Sequence, residues 1–231
     1  MTLAERYERV LGRVREAEFK AHGTTGEVRL MAVTKTIEEP AIAEAIAAGA
    51  CLLGENRVQE LARKRDSLDL SGCELHLIGH LQSNKTARAV ACADMIQSVD
   101  SVRIAREISG ECVRQNRQMP VLLEVNIGRD PAKFGFLPEE TEAALAEIAV
   151  FPGISVCGLM TVPPFLEGEP LTRKFFSQMY RLFLDIRGKK MDNIRMDVLS
   201  MGMSGDFELA IAEGSNLVRV GSAIFGDRNY R

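Results

Sequence analysis

Residues that would indicate a metal centre or a disulfide scaffold are scarce in this chain of 231 residues. It has no tryptophan, three histidines, and five cysteines that never form a Cys-x-x-Cys pair. Scattered cysteines in odd number disfavour a disulfide framework and a zinc site, and they are typical of a reducing compartment. A formal charge of -3 without a basic block argues against nucleic acid as a partner. We therefore predict no metal site and no nucleic-acid binding.

Long apolar runs are missing as well. No stretch approaches the roughly 20 apolar residues that a membrane span needs. The segment from Thr2 to Val10 is charged at nearly every turn, unlike the apolar centre of a signal peptide. The sequence thus predicts a cytoplasmic protein without membrane association. The length fits one larger domain or two small ones, and the lack of a linker-like change in composition favours a single domain over residues 1–231.

Short apolar runs alternate with helix-like segments along most of the chain, after an amphipathic pattern in the first 20 residues. The eight runs are Val28–Val33, Cys51–Gly54, Leu75–Gly79, Met95–Val99, Val121–Val125, Ser155–Met160, Met196–Ser200 and Leu217–Val220. Because parallel strands need a crossover, usually a helix, this alternation implies a parallel sheet. Eight such units predict an α/β fold, a single (β/α)8 TIM barrel with an extra N-terminal helix. A doubly wound sheet is the alternative.

The placement of polar residues and glycines favours the barrel. They follow most of the runs, at Thr34-Lys35, Glu55-Asn56, Gly79-His80, Asn126, Met160-Thr161, Ser200-Met201-Gly202 and Gly221-Ser222. In a barrel the carboxyl ends of all strands meet on one rim, and active sites lie on that rim.

Lys35 ends the first run and precedes a helix-like stretch, so its amine can point into the mouth of the barrel. A lysine at a strand end is usually a solvated charge. To attack an aldehyde the amine must be neutral, which partial burial or a nearby cation such as Arg219 would favour.

Two turns rich in Gly and Ser follow the last two runs: Ser200–Gly205 and Val220–Ala223. Glycines allow the backbone to approach a ligand, and exposed N–H groups at a helix start attract an anion. Loops after strands seven and eight commonly hold phosphate in barrel enzymes, although ordinary turns with a Ser cap would look the same. With Lys35, these turns indicate a site for an aldehyde bearing a phosphate, a description that pyridoxal 5′-phosphate (PLP) fits.

Arg219 lies inside the eighth run, where an arginine is costly unless it is paired or aimed at a ligand. An ion pair with Asp197 or Glu124 is the structural alternative. Asn56 and Gln59 have the spacing of a capping box, which explains Asn56 without a ligand.

These residues resemble the pyridoxal phosphate homeostasis proteins, which are similar in fold to the N-terminal barrel domain of alanine racemase. The matching stretches are Ala32–Lys35, Gly54–Glu60, His76–Lys85, Gly158–Pro164, Leu199–Asp206 and Val218–Gly226. They cover nearly the whole chain in family order.

The resemblance implies a role for each site residue. Lys35 would hold PLP as a Schiff base, Arg219 would face the pyridine nitrogen, and Asn56 and Met160 would line the ring. The phosphate would be bound by Ser204, Gly221 and Ser222, helped by the backbone N–H groups from Met201 to Ser204 in the turn that begins with Ser200, Met201 and Gly202. The loop of residues 125–135 departs from the family pattern, because Asp130 or Arg129 stands near the place of a usual glutamate.

The same residues leave three functions open. A racemase or decarboxylase would need the protonated ring as an electron sink, or acid and base groups on both faces. Arg219 would oppose that protonation, the β-domain that supplies the racemase's tyrosine is not in this sequence, and Tyr7, Tyr180 and Tyr230 lie off the predicted rim. A Schiff-base aldolase is disfavoured only by the family stretches. We therefore predict a monomeric PLP-binding protein without strong catalytic activity, which takes part in vitamin B6 homeostasis and passes PLP to apo-enzymes.

Overall fold

A computed structural model describes residues 1–164 and 168–226. Within them, eight parallel strands close into a barrel in chain order. The strands are β1 (Arg29–Val33), β2 (Leu52–Glu55), β3 (Glu74–Leu77), β4 (Met95–Val99), β5 (Met119–Glu124), β6 (Ile154–Met160), β7 (Ile194–Ser200) and β8 (Leu217–Val220). The barrel closes where β1 pairs with β8, with Arg29 opposite Leu217 and Ala32 opposite Val220.

Helices connect the strands and surround the barrel. Those in the described residues are α1 (Leu3–His22), α2 (Glu39–Ala47), α3 (Val58–Ser67), α4 (Thr86–Cys92), α5 (Val102–Arg114), α6 (Thr141–Ile148), α7 (Glu169–Gly188), α8 (Phe207–Ala212) and α9 (Ser222–Phe225), with a 3-10 turn at Ser83–Lys85. None of them is long and apolar enough to cross a membrane.

Side chains alternate between the two faces of the barrel wall. Leu30 and Ala32 pack outward into the large core under the helices, whereas Met31 and Val33 form a separate cluster inside the barrel. Such alternation is the period of two expected of a strand. The barrel interior is apolar near most strands, but β3 and β4 place the polar side chains of His76 and Gln97 inside, fully buried.

The N-terminal helix α1 is built by its own sequence. Thr2 and Glu5 form a capping box at its start. Its apolar stripe, including Tyr7, is buried, and it packs against α2, α8 and α9. Arg6 Nε donates to the Ile224 carbonyl in α9 at 2.6 Å, so the first helix contacts the last.

The predicted fold class and extra N-terminal helix are confirmed. Helix α7 begins at Glu169, with Pro170 accommodated in its first turn. One detail differs from the sequence-based expectation. The expected turn at residues 220–223 continues into the short helix α9. The single domain over residues 1–231 stays a prediction, because residues 165–167 and 227–231 lie outside the described part.

Candidate functional site

A cavity of about 890 Å³ opens at the carboxyl ends of the strands. This volume lies within the range of about 300–1,000 Å³ typical of small-molecule sites. Its lining includes Lys35 after β1, Asn56 after β2, the β7–α8 loop from Met203 to Asp206, and Arg219 in β8. Gly221 and Ser222, at the start of α9, complete it. The rim predicted from the strand ends therefore holds a cavity large enough for a small molecule.

The residue before Lys35 is fixed by a buried ion pair. Thr34 Oγ1 donates to Glu55 Oε1 at 2.5 Å, and Lys64 Nζ donates to the Thr34 carbonyl at 2.7 Å. Lys64 also reaches Glu55 Oε1 at 2.5 Å, and the side chains of both are at most 1% exposed. Burial raises the pKa of Glu55, and the positive charge of Lys64 opposes that rise. The backbone on this side of Lys35 is thus anchored to β2 and α3.

The residue after Lys35 is also held. Thr36 has a φ of 62°, an uncommon left-handed value for a residue other than glycine. Its N–H donates to Glu60 Oε2 in α3 at 2.9 Å. With both neighbours fixed, the side chain of Lys35 is directed into the cavity.

Hydroxyl and N–H groups face the cavity on the side of β8. Ser204 Oγ accepts hydrogen bonds from the N–H groups of Gly221 at 3.2 Å and Ala223 at 3.4 Å. Ser222 lines the cavity beside them. These two N–H groups already donate to Ser204 Oγ, so an anion such as a phosphate would be bound on this side by the hydroxyls of Ser204 and Ser222.

The first part of the β7–α8 turn is committed to the protein itself. The N–H of Met201 donates to the Leu217 carbonyl at 3.2 Å, and that of Met203 donates to Asp206 Oδ1 at 2.6 Å. Gly202 has a φ of 94° and packs against Phe207 and Ala210, which leaves no room for a Cβ. Contrary to the sequence-based expectation, the N–H groups of Met201 and Met203 are therefore not free to bind phosphate.

Arg219 is the cation of the cavity floor and is 4% exposed. Its Nη1 donates to Ser200 Oγ at 2.6 Å, and its Nη2 donates to the Thr161 carbonyl at 2.8 Å. Burial lowers the pKa of Arg219 to about 10, against the opposing effect of Glu124 and Asp206. Arg219 therefore remains charged at neutral pH. The alternative of a direct ion pair with Asp197 is excluded, since Asp197 pairs with Arg195 at the surface.

Glu124, at the end of β5, is the other carboxylate named in the sequence analysis as an ion-pair alternative for Arg219. It is not part of the cavity lining. Burial raises its pKa to about 7, and the charge of Asp100 adds to the rise. Arg219 and Lys133 act in the opposite direction. A carboxyl group that titrates near neutrality thus lies within electrostatic reach of Arg219.

Six of the ten predicted site residues line the cavity, and four lie beneath it. The six are Lys35, Asn56, Ser204, Arg219, Gly221 and Ser222. Ser200 is fully buried and holds Arg219, Met160 packs inside the barrel with Met95, Leu122 and Cys157, and Met201 and Gly202 are buried in the turn. Met160 is not part of the cavity lining, and its contact with the ring stays a prediction.

The loop between β5 and α6 closes the opposite side of the rim. Lys133 Nζ donates to the carbonyls of Val162 at 3.1 Å and Pro163 at 2.8 Å. The ring of Phe134 stacks on His80, with centroids 3.6 Å apart, and His80 bonds to Asp100 at 2.6 Å. Arg129 pairs with Glu139 outside the cavity. The loop is thus joined to the strand ends through Lys133 and His80.

No tyrosine of the described residues lines the cavity, and no metal-binding cluster is found among them. Tyr7 bonds to the Gly49 carbonyl under α1 and Tyr180 lies on α7, while Tyr230 falls outside the described residues. Across residues 1–164 and 168–226, no group of three or more His, Cys, Asp or Glu could hold a metal ion.

Comparison with known proteins gives one family. A profile described as "Alanine racemase, N-terminal domain" matches residues 14–229. The pyridoxal phosphate homeostasis protein of Aquifex aeolicus (strain VF5) is 36% identical over 230 residues, which cover 100% of both chains. The protein of the same name from Escherichia coli (strain K12) is 35% identical over 231 residues, 99% of this chain and 97% of its own.

Solved structures agree in fold. PipY of Synechococcus elongatus PCC7942 with PLP bound has a TM-score of 0.83 at 34% identity, covering 97% of this chain and 100% of PipY. Alanine racemase of Clostridium difficile 630 has a TM-score of 0.75 at 15% identity, covering 97% of this chain and 57% of the racemase. At that identity the likeness to the racemase shows the fold alone.

Proposed function

The chain belongs to the family of pyridoxal phosphate homeostasis proteins, and we propose that it binds PLP reversibly on Lys35 and limits the free concentration of this reactive aldehyde. The observation that carries the proposal is that Lys35, Arg219 and the group formed by Ser204, Gly221 and Ser222 line one cavity. A primary amine, a buried cation and an anion-binding group are the three partners that an aldehyde, a pyridine ring and a phosphate require.

Each residue has a defined task in this proposal. Lys35 Nζ adds to the aldehyde carbon, and a water molecule leaves as the C=N bond forms. The hydroxyls of Ser204 and Ser222 donate to the phosphate, and the N–H groups of Gly221 and Ala223 hold Ser204 Oγ in place. Arg219 faces the ring nitrogen, and Asn56 lies beside the ring. Because the bond to Lys35 is reversed by water or by another amine, the same site can release PLP to apo-enzymes.

The environment of Arg219 supports binding rather than strong catalysis. When bound, PLP supplies an electron sink whose strength depends on a protonated ring nitrogen. Arg219 is charged at neutral pH, because its pKa of about 10 lies well above 7, and a donor-only cation at that nitrogen opposes its protonation. Neither Tyr7 nor Tyr180 reaches the cavity lining to act as a racemase base.

The proposal includes a setting for the protein. The five free cysteines are consistent with the reducing cytoplasm, where apo-enzymes that need PLP are made. We place the protein there as a monomer with one domain. Size-exclusion chromatography with light scattering measures the oligomeric state directly.

The test is the near-visible absorption spectrum with PLP, before and after borohydride reduction, followed by peptide mapping. We expect a reducible band with the adduct on Lys35, and no band for Lys35→Ala. Lys133→Ala is the matched control, because Lys133 is another lysine of the rim, and it should keep the band. An adduct on another lysine, or a normal spectrum in Lys35→Ala, contradicts the proposal. Turnover of amino acids by the loaded protein would instead support the racemase alternative.

A further inference from the structure

A continuous chain of polar side chains crosses the barrel interior beneath the cavity. Arg219 Nη1 donates to Ser200 Oγ at 2.6 Å, and Ser200 Oγ donates to Gln97 Oε1 at 2.8 Å. Gln97 Nε2 contacts His76 Nδ1 at 2.9 Å, and His76 Nε2 contacts Glu74 Oε2 at 2.8 Å. The side chains of Ser200, Gln97 and His76 have no exposed surface. Four strands, β8, β7, β4 and β3, thus contribute to one hydrogen-bonded row.

Polar residues at these positions need a reason, because the barrel interior could be filled with apolar side chains. Barrel interiors are usually packed with branched apolar residues, and Met31, Leu52, Leu122 and Leu217 do this in the neighbouring positions. A buried amide or imidazole is costly unless each polar atom has a partner. Gln97 and His76 lie between Ser200 and Glu74 in this row. The polar side-chain atoms of both residues have hydrogen-bond partners there.

The donor of each bond follows from Arg219. A guanidinium can only donate, so Ser200 Oγ accepts from it and gives its single proton to Gln97 Oε1. The other end of the Gln97 amide must then donate to His76 Nδ1. His76 is therefore neutral with its proton on Nε2, which donates to the Glu74 carboxylate. One arrangement of protons satisfies all four bonds, and the orientation of each group depends on the next.

The far end of the row lies at the opposite face of the barrel. Glu74 begins β3, is partly exposed, and pairs with Arg29 at 2.7 Å. The hydrogen bond from His76 lowers the pKa of Glu74 to about 2, so it stays an acceptor. The row therefore starts from a permanent acceptor at one face and ends at the cation that lines the cavity at the other.

We propose that Gln97 and His76 are positioning residues that hold Ser200 as the hydrogen-bond partner of Arg219 and thereby fix the guanidinium against the bound cofactor. The part that concerns the cofactor rests on the proposed function. The proton arrangement of the row does not, and it can be measured in the free protein.

The first test uses the three histidines of the chain, whose imidazole nitrogens can be resolved by long-range proton–nitrogen NMR. We expect His76 to show the neutral form protonated on Nε2 in the free protein, assigned by its loss in His76→Phe. A charged His76, or a neutral His76 protonated on Nδ1, would contradict the proposed proton arrangement of the row, whether or not the protein binds PLP.

The second test separates the two ends of Gln97. Gln97→Leu removes both hydrogen bonds of the Gln97 side chain. We expect PLP binding to weaken about tenfold, which is the effect of losing one hydrogen bond to a charged group, here the bond between Ser200 and Arg219. The absorption band should shift as well. Gln97→Glu keeps an acceptor for Ser200 but offers no donor to His76. It should bind PLP like the wild type while His76 takes a second proton.

Gln178→Leu makes the same change on the exposed face of α7 and serves as the control. Unchanged affinity and spectrum in Gln97→Leu, with normal PLP binding by the wild type, would refute the positioning role. If the wild type itself binds no PLP, the proposed function fails, and the NMR result alone then tests the proton arrangement of the row.

Discussion

At the scale of single residues, the position of Lys35 is set by side chains that never touch the cavity. Lys64 and Glu60 on α3 hold the residues on either side of it, and Glu55 on β2 holds the Thr34 hydroxyl. One oxygen of Glu55, Oε2, is buried without a hydrogen-bond partner among the described residues. The pair of Lys64 and Glu55 therefore leaves one buried oxygen unsatisfied while it fixes the backbone next to Lys35.

Removing the cation from this pair should be strongly destabilising. Lys64→Met leaves the carboxylate of Glu55 buried without its counter-ion, and we expect the free energy of unfolding to fall by about 3–5 kcal/mol. The double variant Lys64→Met with Glu55→Leu should recover most of that loss, because no charge is then left in the core. Chemical denaturation measures both.

Lys20→Met provides the comparison, since the Lys20–Glu16 pair has the same charge and is 72% and 65% exposed. Loss of this pair should leave the free energy of unfolding nearly unchanged, because water and salt screen an exposed ion pair. Equal losses in Lys20→Met and Lys64→Met, or a double variant less stable than the single one, would show that the buried charge is not the cause.

The sequence indicated the residues that stand at strand ends, but not the residues that support them. Lys35 and Asn56 are predictable because a strand that ends at a rim places the next polar residue in the mouth. Arg219 is predictable because an arginine inside a buried strand needs a partner or a ligand. Lys64 reads as one charge in a helix rich in charges, and its burial depends on how α3 lies against β2. The commitment of the Met201 N–H to Leu217 likewise depends on the pairing of β7 with β8, which spacing alone does not give.

At the scale of elements, β6 is irregular against both of its neighbouring strands. Its register shifts against β5 between Val121 and Leu122, and against β7 between Val156 and Gly158. Gly158 has a φ of 151°, and a Cβ there would overlap the carbonyl group of Val198. A glycine is therefore required where β6 adjusts to both neighbours.

A methyl group at this position should disrupt the wall. We expect Gly158→Ala to lower the free energy of unfolding by on the order of 2–4 kcal/mol, because the backbone of β7 must move. Gly110→Ala is the matched control: Gly110 lies in the exposed face of α5 with nothing within 4 Å of a Cβ. That change should stabilise by about 0.5–1 kcal/mol. Thermal unfolding should show that Gly158→Ala is less stable than the wild type and Gly110→Ala more stable. A change of stability in the same direction for both variants would contradict this explanation.

Element type was predictable over most of the chain, and element ends were less so. The runs at Met95–Val99 and Leu217–Val220 coincide with β4 and β8, since Asp94 and Asp100 bracket the first and Gly221 follows the second. The shifts in β6 were not predictable, because Gly158 reads as one more small residue in an apolar run. Only the closed barrel reveals that its neighbour approaches so closely.

At the scale of the whole molecule, Glu124 makes stability depend on pH near neutrality. Its pKa is raised from 4.5 to about 7 in the folded protein, so the folded state binds more protons than the unfolded state between these values. Stability therefore falls as pH rises through that window. Because each tenfold change in proton affinity corresponds to about 1.4 kcal/mol, ionised Glu124 costs on the order of 3 kcal/mol.

The comparison of wild type with Glu124→Gln isolates this contribution, because all other groups titrate in both. We expect similar free energies of unfolding at pH 5 and a more stable Gln variant at pH 8, by on the order of 3 kcal/mol. Urea unfolding at several pH values provides the data. A difference that does not change between pH 5 and pH 8 would mean that Glu124 titrates at its ordinary pKa.

The order of the strands has a consequence for synthesis. Lys35 follows the first strand, while Ser204, Arg219 and Ser222 belong to the last two, and β1 pairs with β8 to close the barrel. A nascent chain that has exposed only β1 to β6 contains Lys35 but none of these three residues. Because chains emerge from the ribosome with the N-terminal part first, Lys35 stays without them until β8 has emerged and paired with β1. The cavity is therefore completed by the step that closes the barrel.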